Sequence, residues 1–224
     1  MTHLQKIVEY ARSMSHRTCR PEHEHWRYGS FYEVVLAHGR VFEPAPLPDT
    51  VYPALPGHCF QAAAILSDLH GMAYVEGLAL LPDAQTVIEH AWCTTWLGQV
   101  VDPSLGGNTA AAYLGIAFTL QFRHQAVART GNRWPVLLAD QDGGRSPTRD
   151  ILEHGLPDAA TVPLVGTPLA SPVQPASTNP PSTPDPRAWL GFTATGAYDG
   201  PWPATLGAPP PGEETRNFTP ARPH

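Results

Sequence analysis

The chain has 224 residues, 42% of them hydrophobic and only 15% charged, with a formal net charge of −6, which is room for one packed domain of ordinary size plus a tail. No cluster of Lys and Arg accompanies this acidic balance, so the electrostatic footprint of a nucleic-acid binder is missing. The opening residues MTHLQKIVEYARSM interleave polar and apolar side chains, and no later apolar run reaches bilayer length, so a soluble, cytoplasmic protein with no membrane partner is expected.

In chain order, Leu4, Ile7, Val8 and Ala11 recur at helical spacing and predict an amphipathic helix over residues 1–14. A second helix is expected over 30–38, with Ser30 as its cap and Gly39 as its stop. Residues 43–56 carry five prolines. A residue that lacks a backbone donor disfavours helix interiors and central strands, so this stretch reads as an extended connection. The segment CFQAAAILSDLHG then offers good helix formers closed by Gly71, placing a helix start at or just before Cys59.

The apolar runs MAYVEGLALL, IEHAWCTTWL and QVVDPS follow, punctuated by Pro82 and Gly98. Their length and their β-branched and aromatic content predict consecutive antiparallel strands. His90 falls on the second of these and Asp102 at the end of the third. Residues 113–123, YLGIAFTLQFR, read as a further strand, and 149–155 as a short helix capped by Thr148.

This pattern closes a domain over residues 1–160. Residues 161–224 read as a tail, since 15 of the 26 prolines fall from Pro163 onward among Ser, Thr, Ala and Gly. Such a composition buries too little apolar surface to offset its ordering entropy, so disorder with polyproline character is expected. The aromatic island AWLGFTATGAYDGPW within it is a candidate docking element for a protein partner.

Three cysteines, Cys19, Cys59 and Cys93, show no disulfide-framework spacing, which fits reduced thiols. A thiol is a weak nucleophile at its ordinary pKa of about 8.5, and a helix N-terminus lowers that value by setting free N–H groups and the positive dipole end against the thiolate. Cys59 is placed for this. It also needs a base within reach and a group that orients the base, and His90 and Asp102, on strands expected to be neighbours, are the candidates.

The order Cys59 on a helix start, His90 in His90-Ala91-Trp92, and Asp102 in Val101-Asp102-Pro103-Ser104 resembles the transglutaminase-like branch of the papain-like cysteine enzymes. Tyr74-Val75-Glu76-Gly77-Leu78-Ala79 and Tyr113-Leu114-Gly115 add to the likeness, which covers about residues 55–120. The resemblance implies an α+β domain with a central Cys-bearing helix packed on an antiparallel sheet. It implies Cys59 as nucleophile, His90 as base and acid, Asp102 as orienter, and neither metal nor organic cofactor. It also implies a thioester formed with an amide or acyl donor, namely a peptide, a protein side-chain amide or a small acyl substrate. The alternative is a catalytically silent relative, a binding or structural protein such as a phage component that holds its partner through the tail.

No papain-type glutamine shortly precedes Cys59, and Tyr52 is the candidate to take its place beside the substrate. Trp92, next to the base, is expected in the core and is a candidate wall for a substrate groove. Glu76 is read first as the acceptor of a structural hydrogen bond, and Cys93, alternating with Trp92, as inert. His16, Cys19, His23 and His25 cluster without the regular ligand pairs of a zinc site and read as a solvated loop.

Overall fold

The computed structural model describes residues 1–18, 23–83, 85–105, 109–131, 135–138, 147–163 and 165–169. Among these residues the fold is α+β. Its helices are α1 (His3–Thr18), α2 (Phe31–His38), α3 (Cys59–His70), α4 (Leu120–Arg129) and α5 (Pro147–His154). Its strands are β1 (Arg40–Phe42), β2 (Ala73–Leu80), β3 (Val87–Thr94), β4 (Val100–Val101), β5 (Ala112–Phe118) and β6 (Thr167–Pro168). They pair antiparallel in the order β4-β3-β2-β5-β1-β6 and curl into a half-barrel.

Every residue of β2 is buried, which explains why its sequence runs apolar rather than alternating: both faces of this strand are covered. One face carries Tyr74, Leu78 and Leu80 with Ala91, Cys93, Leu114 and Ile116, and packs under the helices. The other carries Val75, Ala79, Trp92, Tyr113 and Ala117 with Phe42, Val162 and Val165. α1 meets the first core through Ile7, Ala11 and Ser15, one stripe at i, i+4, i+8. α3 buries Ala63, Ala64, Leu66 and Ser67. Its small side chains bring the helix backbone so near β3 that the Cys93 thiol donates to the Ala63 carbonyl at 3.0 Å.

At the sheet's centre β2 and β5 cross at a glycine pair, Gly77 opposite Gly115. A Cβ on Gly77 would lie 2.2 Å from the Leu114 carbonyl oxygen, and one on Gly115 would meet the Trp92 ring. Only the residue without a Cβ fits here.

Several expectations need correction. The apolar run 113–123 is a strand only as far as Phe118. Thr119 then caps α4 by accepting the Phe122 N–H, so Leu120 to Arg123 are helical. Arg123 lies buried and pairs with Asp68 on α3. Thr148 does not cap α5 but lies within it, its hydroxyl donating to the Val136 carbonyl at 3.1 Å. The third predicted strand shrinks to Val100–Val101, and β1 is an addition to the strands expected from the sequence. The sheet continues beyond residue 160, where β6 pairs with β1. Cys19 and the tail from residue 170 lie outside the described residues. No helix among the described residues is long and apolar enough to cross a membrane.

Candidate active site

α3 begins at Cys59 without a side-chain cap, since His58 makes no capping hydrogen bond. The N–H groups of the first turn are therefore left for another acceptor. A turn in which His58 N–H donates to the Leu55 carbonyl at 3.3 Å leads into the helix, and Ala54 N–H ties the preceding loop to the Pro103 carbonyl at 2.7 Å. Those two contacts set the end of α3 beside the turn that carries Asp102.

β4 pairs only with Cys93 and Thr94 of β3, so among the described residues no strand pairs with the outer edge of β3 at Ala91. The half-buried Cys59 sulfur fills that place, accepting the N–H groups of Ala91 and Phe60 and hydrogen-bonded to His90. The His90 Nε2 lies 2.7 Å from Asp102 Oδ2, which leaves Nδ1 as the ring nitrogen for the sulfur. The three residues brought together are those singled out from the sequence.

Asp102 follows β4 and opens the 3-10 turn Pro103–Leu105. Its Oδ1 accepts the Ser104 N–H at 3.0 Å and the Ser104 hydroxyl at 2.7 Å, while Oδ2 accepts the Tyr113 hydroxyl at 3.0 Å besides the imidazole. Ser104 Oγ is also 3.4 Å from His90 Nε2. Asp102 and His90 are both buried, and in a site of low polarisability such charge-assisted bonds count for more than in water.

The protonation balance follows from these contacts. Burial alone opposes the Cys59 thiolate, yet His90 and the two N–H donors outweigh it and hold the thiol below its ordinary value. Burial likewise opposes the imidazolium, but Asp102 and Cys59 together hold His90 up to about 9. Burial works against the Asp102 carboxylate too, and the His90 and Ser104 bonds bring it below the usual carboxylate range. The contacts thus favour the thiolate of Cys59 beside the imidazolium of His90 and the carboxylate of Asp102.

Trp92 is fully buried, so its ring offers no face to a substrate groove. It stacks instead on His90, with centroids 6.2 Å apart, and is flanked by Tyr113 and Phe42. Tyr52 is 89% exposed on the loop before α3. Glu76 is fully buried and accepts the N–H groups of Val136 at 2.5 Å, Leu137 at 2.8 Å and Leu138 at 3.3 Å, together with the Tyr74 hydroxyl at 2.8 Å. That is a structural bond set. Burial pushes the Cys93 thiol up, as its place against Ala63 requires.

Sequence reasoning assigns no role to Ser104 or Tyr113. A serine two residues after an aspartate at a strand end is a signature of a local turn, and it was available for Ser104. Tyr113 had no such local signal, because its place beside Asp102 comes from the sheet order. Among the described residues no three His, Cys, Asp or Glu side chains are grouped to hold a metal ion, and His23 stacks on Trp26. A cavity of about 710 Å³ between α4 and α5 is lined by Phe122, Arg129, Arg149 and Glu153 among others, and none of the three site residues borders it. Comparison of the chain with protein-family models, curated proteins and solved structures gives no match.

Proposed function

We propose that the chain is a transglutaminase-like cysteine enzyme, a hydrolase or acyltransferase that opens an amide or acyl donor through a thioester on Cys59. The observation that carries this reading is the continuous hydrogen-bonded chain Cys59–His90–Asp102 beginning at an uncapped helix N-terminus. A buried thiol kept as a mere hydrophobe needs neither a raised histidine nor two N–H donors on its sulfur. Cys93 in the same fold shows the contrast, with its proton spent on a carbonyl.

In the proposed reaction the Cys59 thiolate attacks the carbonyl carbon of the donor, and the resulting oxyanion is met by free N–H groups of the first turn of α3, that of Cys59 first. The His90 imidazolium passes its proton to the departing amine as the C–N bond breaks, leaving a thioester and a neutral imidazole. Water or an acceptor amine then attacks the thioester while His90 takes up the attacker's proton. The C–S bond breaks and the thiolate and imidazolium are restored. Asp102 keeps its proton acceptor role toward Nε2 throughout, which holds the ring with Nδ1 toward sulfur. Donors that fit this chemistry are peptides, protein side-chain amides and small acyl compounds.

Alkylation with iodoacetamide at pH 6.5, read residue by residue by mass spectrometry, tests the reading. Cys59 should react at least about tenfold faster than Cys19 and Cys93, because each unit by which a thiol pKa falls raises the thiolate fraction about tenfold. His90→Ala should bring Cys59 down to the rate of an ordinary accessible thiol, while buried Cys93 stays slow in either protein. Equal, slow labelling of all three thiols would reject the enzyme.

A further inference from the structure

We propose that Tyr113 is a positioning residue of this site: its hydroxyl, fixed as a donor onto Asp102, shares the charge of the very oxygen that holds His90 and thereby sets how firmly His90 keeps its proton. The proposal rests on the reading of Cys59 and His90 given above.

The direction of the Tyr113 hydrogen bond is not free. A phenol has one proton, and the Ala110 N–H donates to the Tyr113 oxygen at 3.1 Å, so the tyrosine proton is the one directed at Asp102 Oδ2, 3.0 Å away. The ring is fully buried and sits 4.9 Å from Trp92, which also stacks on His90. Tyr113 therefore borders the imidazole on two sides, by charge through Asp102 and by packing through Trp92. Oδ1 is already satisfied by Ser104, so the competition for charge at Asp102 is confined to Oδ2. A second donor there draws electron density that would otherwise stabilise the imidazolium.

The titratable groups facing this pair are Cys59 from the start of α3, which bonds His90, Tyr113 from β5, and Cys93 on β3, whose thiol feels the Asp102 charge. Burial first, and then the Asp102 charge, push the Tyr113 hydroxyl up, so it remains a neutral donor across the accessible pH range.

Tyr113→Phe keeps the ring and removes the donor. Two readouts are followed against pH: the His90 ring signals by NMR and the Cys59 alkylation rate. With Oδ2 left to His90 alone, the His90 midpoint should rise and the acid limb of alkylation should fall, each by about half a unit to one unit. Replacement of Tyr113 by 3-fluorotyrosine, nearly isosteric and a stronger donor, should move both the opposite way, and it serves also if the Phe variant does not fold. Tyr74→Phe, which loses a comparable buried donor to Glu76, should leave both midpoints in place. A His90 midpoint that stays fixed across the Phe and fluorotyrosine proteins, or moves the same way in both, overturns the positioning role. Wild-type Cys59 that alkylates no faster than the other thiols overturns the enzyme reading instead, and the NMR midpoints still decide the role of Tyr113.

Discussion

A Cβ on Gly115 would stand 2.7 Å from the Trp92 ring and 2.7 Å from the Glu76 carbonyl oxygen. The first neighbour is the ring that stacks on His90, and the second is backbone of the central strand, which no rotamer change can move aside. Gly115→Ala is expected to cost about 1 to 3 kcal/mol, the usual range for overpacking a filled core, and to tilt the imidazole away from Cys59. The urea midpoint and the alkylation rate of Cys59 should fall together. An alanine variant of full stability with an unchanged rate would show that Trp92 does not govern the pose of His90.

Asp102→Asn leaves an oxygen for Ser104 but takes away the charge that lifts His90 against its burial. The His90 value should then fall from about 9, and with it the support for the thiolate. Wild-type alkylation is expected over a window that opens below the ordinary thiol range, because the His90 imidazolium, which keeps its proton up to about 9, supports the thiolate at the acid end. In the Asn variant the opening of that window moves upward, and alkylation at pH 6.5 drops about tenfold or more. A wild-type rate at that pH would mean that the sulfur owes its reactivity to the helix terminus and the Ala91 N–H alone.

The parts of this site that were legible in the sequence are those with local signals. An Ala-rich segment closed by Gly71 announces α3, and Gly71 does adopt the left-handed conformation with φ 64°. β3 and the position of His90 on it follow from an apolar run of strand length. What the sequence concealed depends on pairings distant along the chain. β5 inserts between β2 and β1, and only this brings Tyr113 to Asp102 and Gly115 under Trp92. The open edge of β3 that receives the sulfur exists because β4 is two residues long, a length no periodicity resolves. The misreading of Leu120 to Arg123 as strand has a simpler cause: a short apolar run looks alike in either conformation, and the cap at Thr119 decides it.

Cys93 offers a second test of how the same side chain is used in two ways. Its thiol is fully buried, bonded to the Ala63 carbonyl, and pushed up by burial. In a Cys19→Ser background, native protein should therefore yield one fast thiol to a disulfide reagent such as dithiobis-nitrobenzoate, and the second only at the rate of unfolding in rising urea. Two fast thiols in the folded protein would contradict the packing of α3 on β3.

Glu76 sets a pH dependence of stability with a defined sign. Burial raises its carboxyl from 4.5 to about 7, although three backbone N–H groups and Tyr74 pull the other way. The native state therefore binds this proton more tightly than the unfolded chain does. The stability it confers is complete below about 4.5, declines as pH rises toward 7, and is level above that. A shift of this size corresponds to about 3 kcal/mol. Glu76→Gln stays uncharged throughout, so it should show a smaller loss than the wild type between pH 4.5 and pH 8 in urea denaturation. It should also be less stable than wild type at pH 4.5, because its amide cannot accept all the donors of Val136, Leu137 and Leu138 that the carboxyl group meets. Equal slopes in the two proteins would mean that Glu76 is already ionised well below pH 7, held there by those N–H groups.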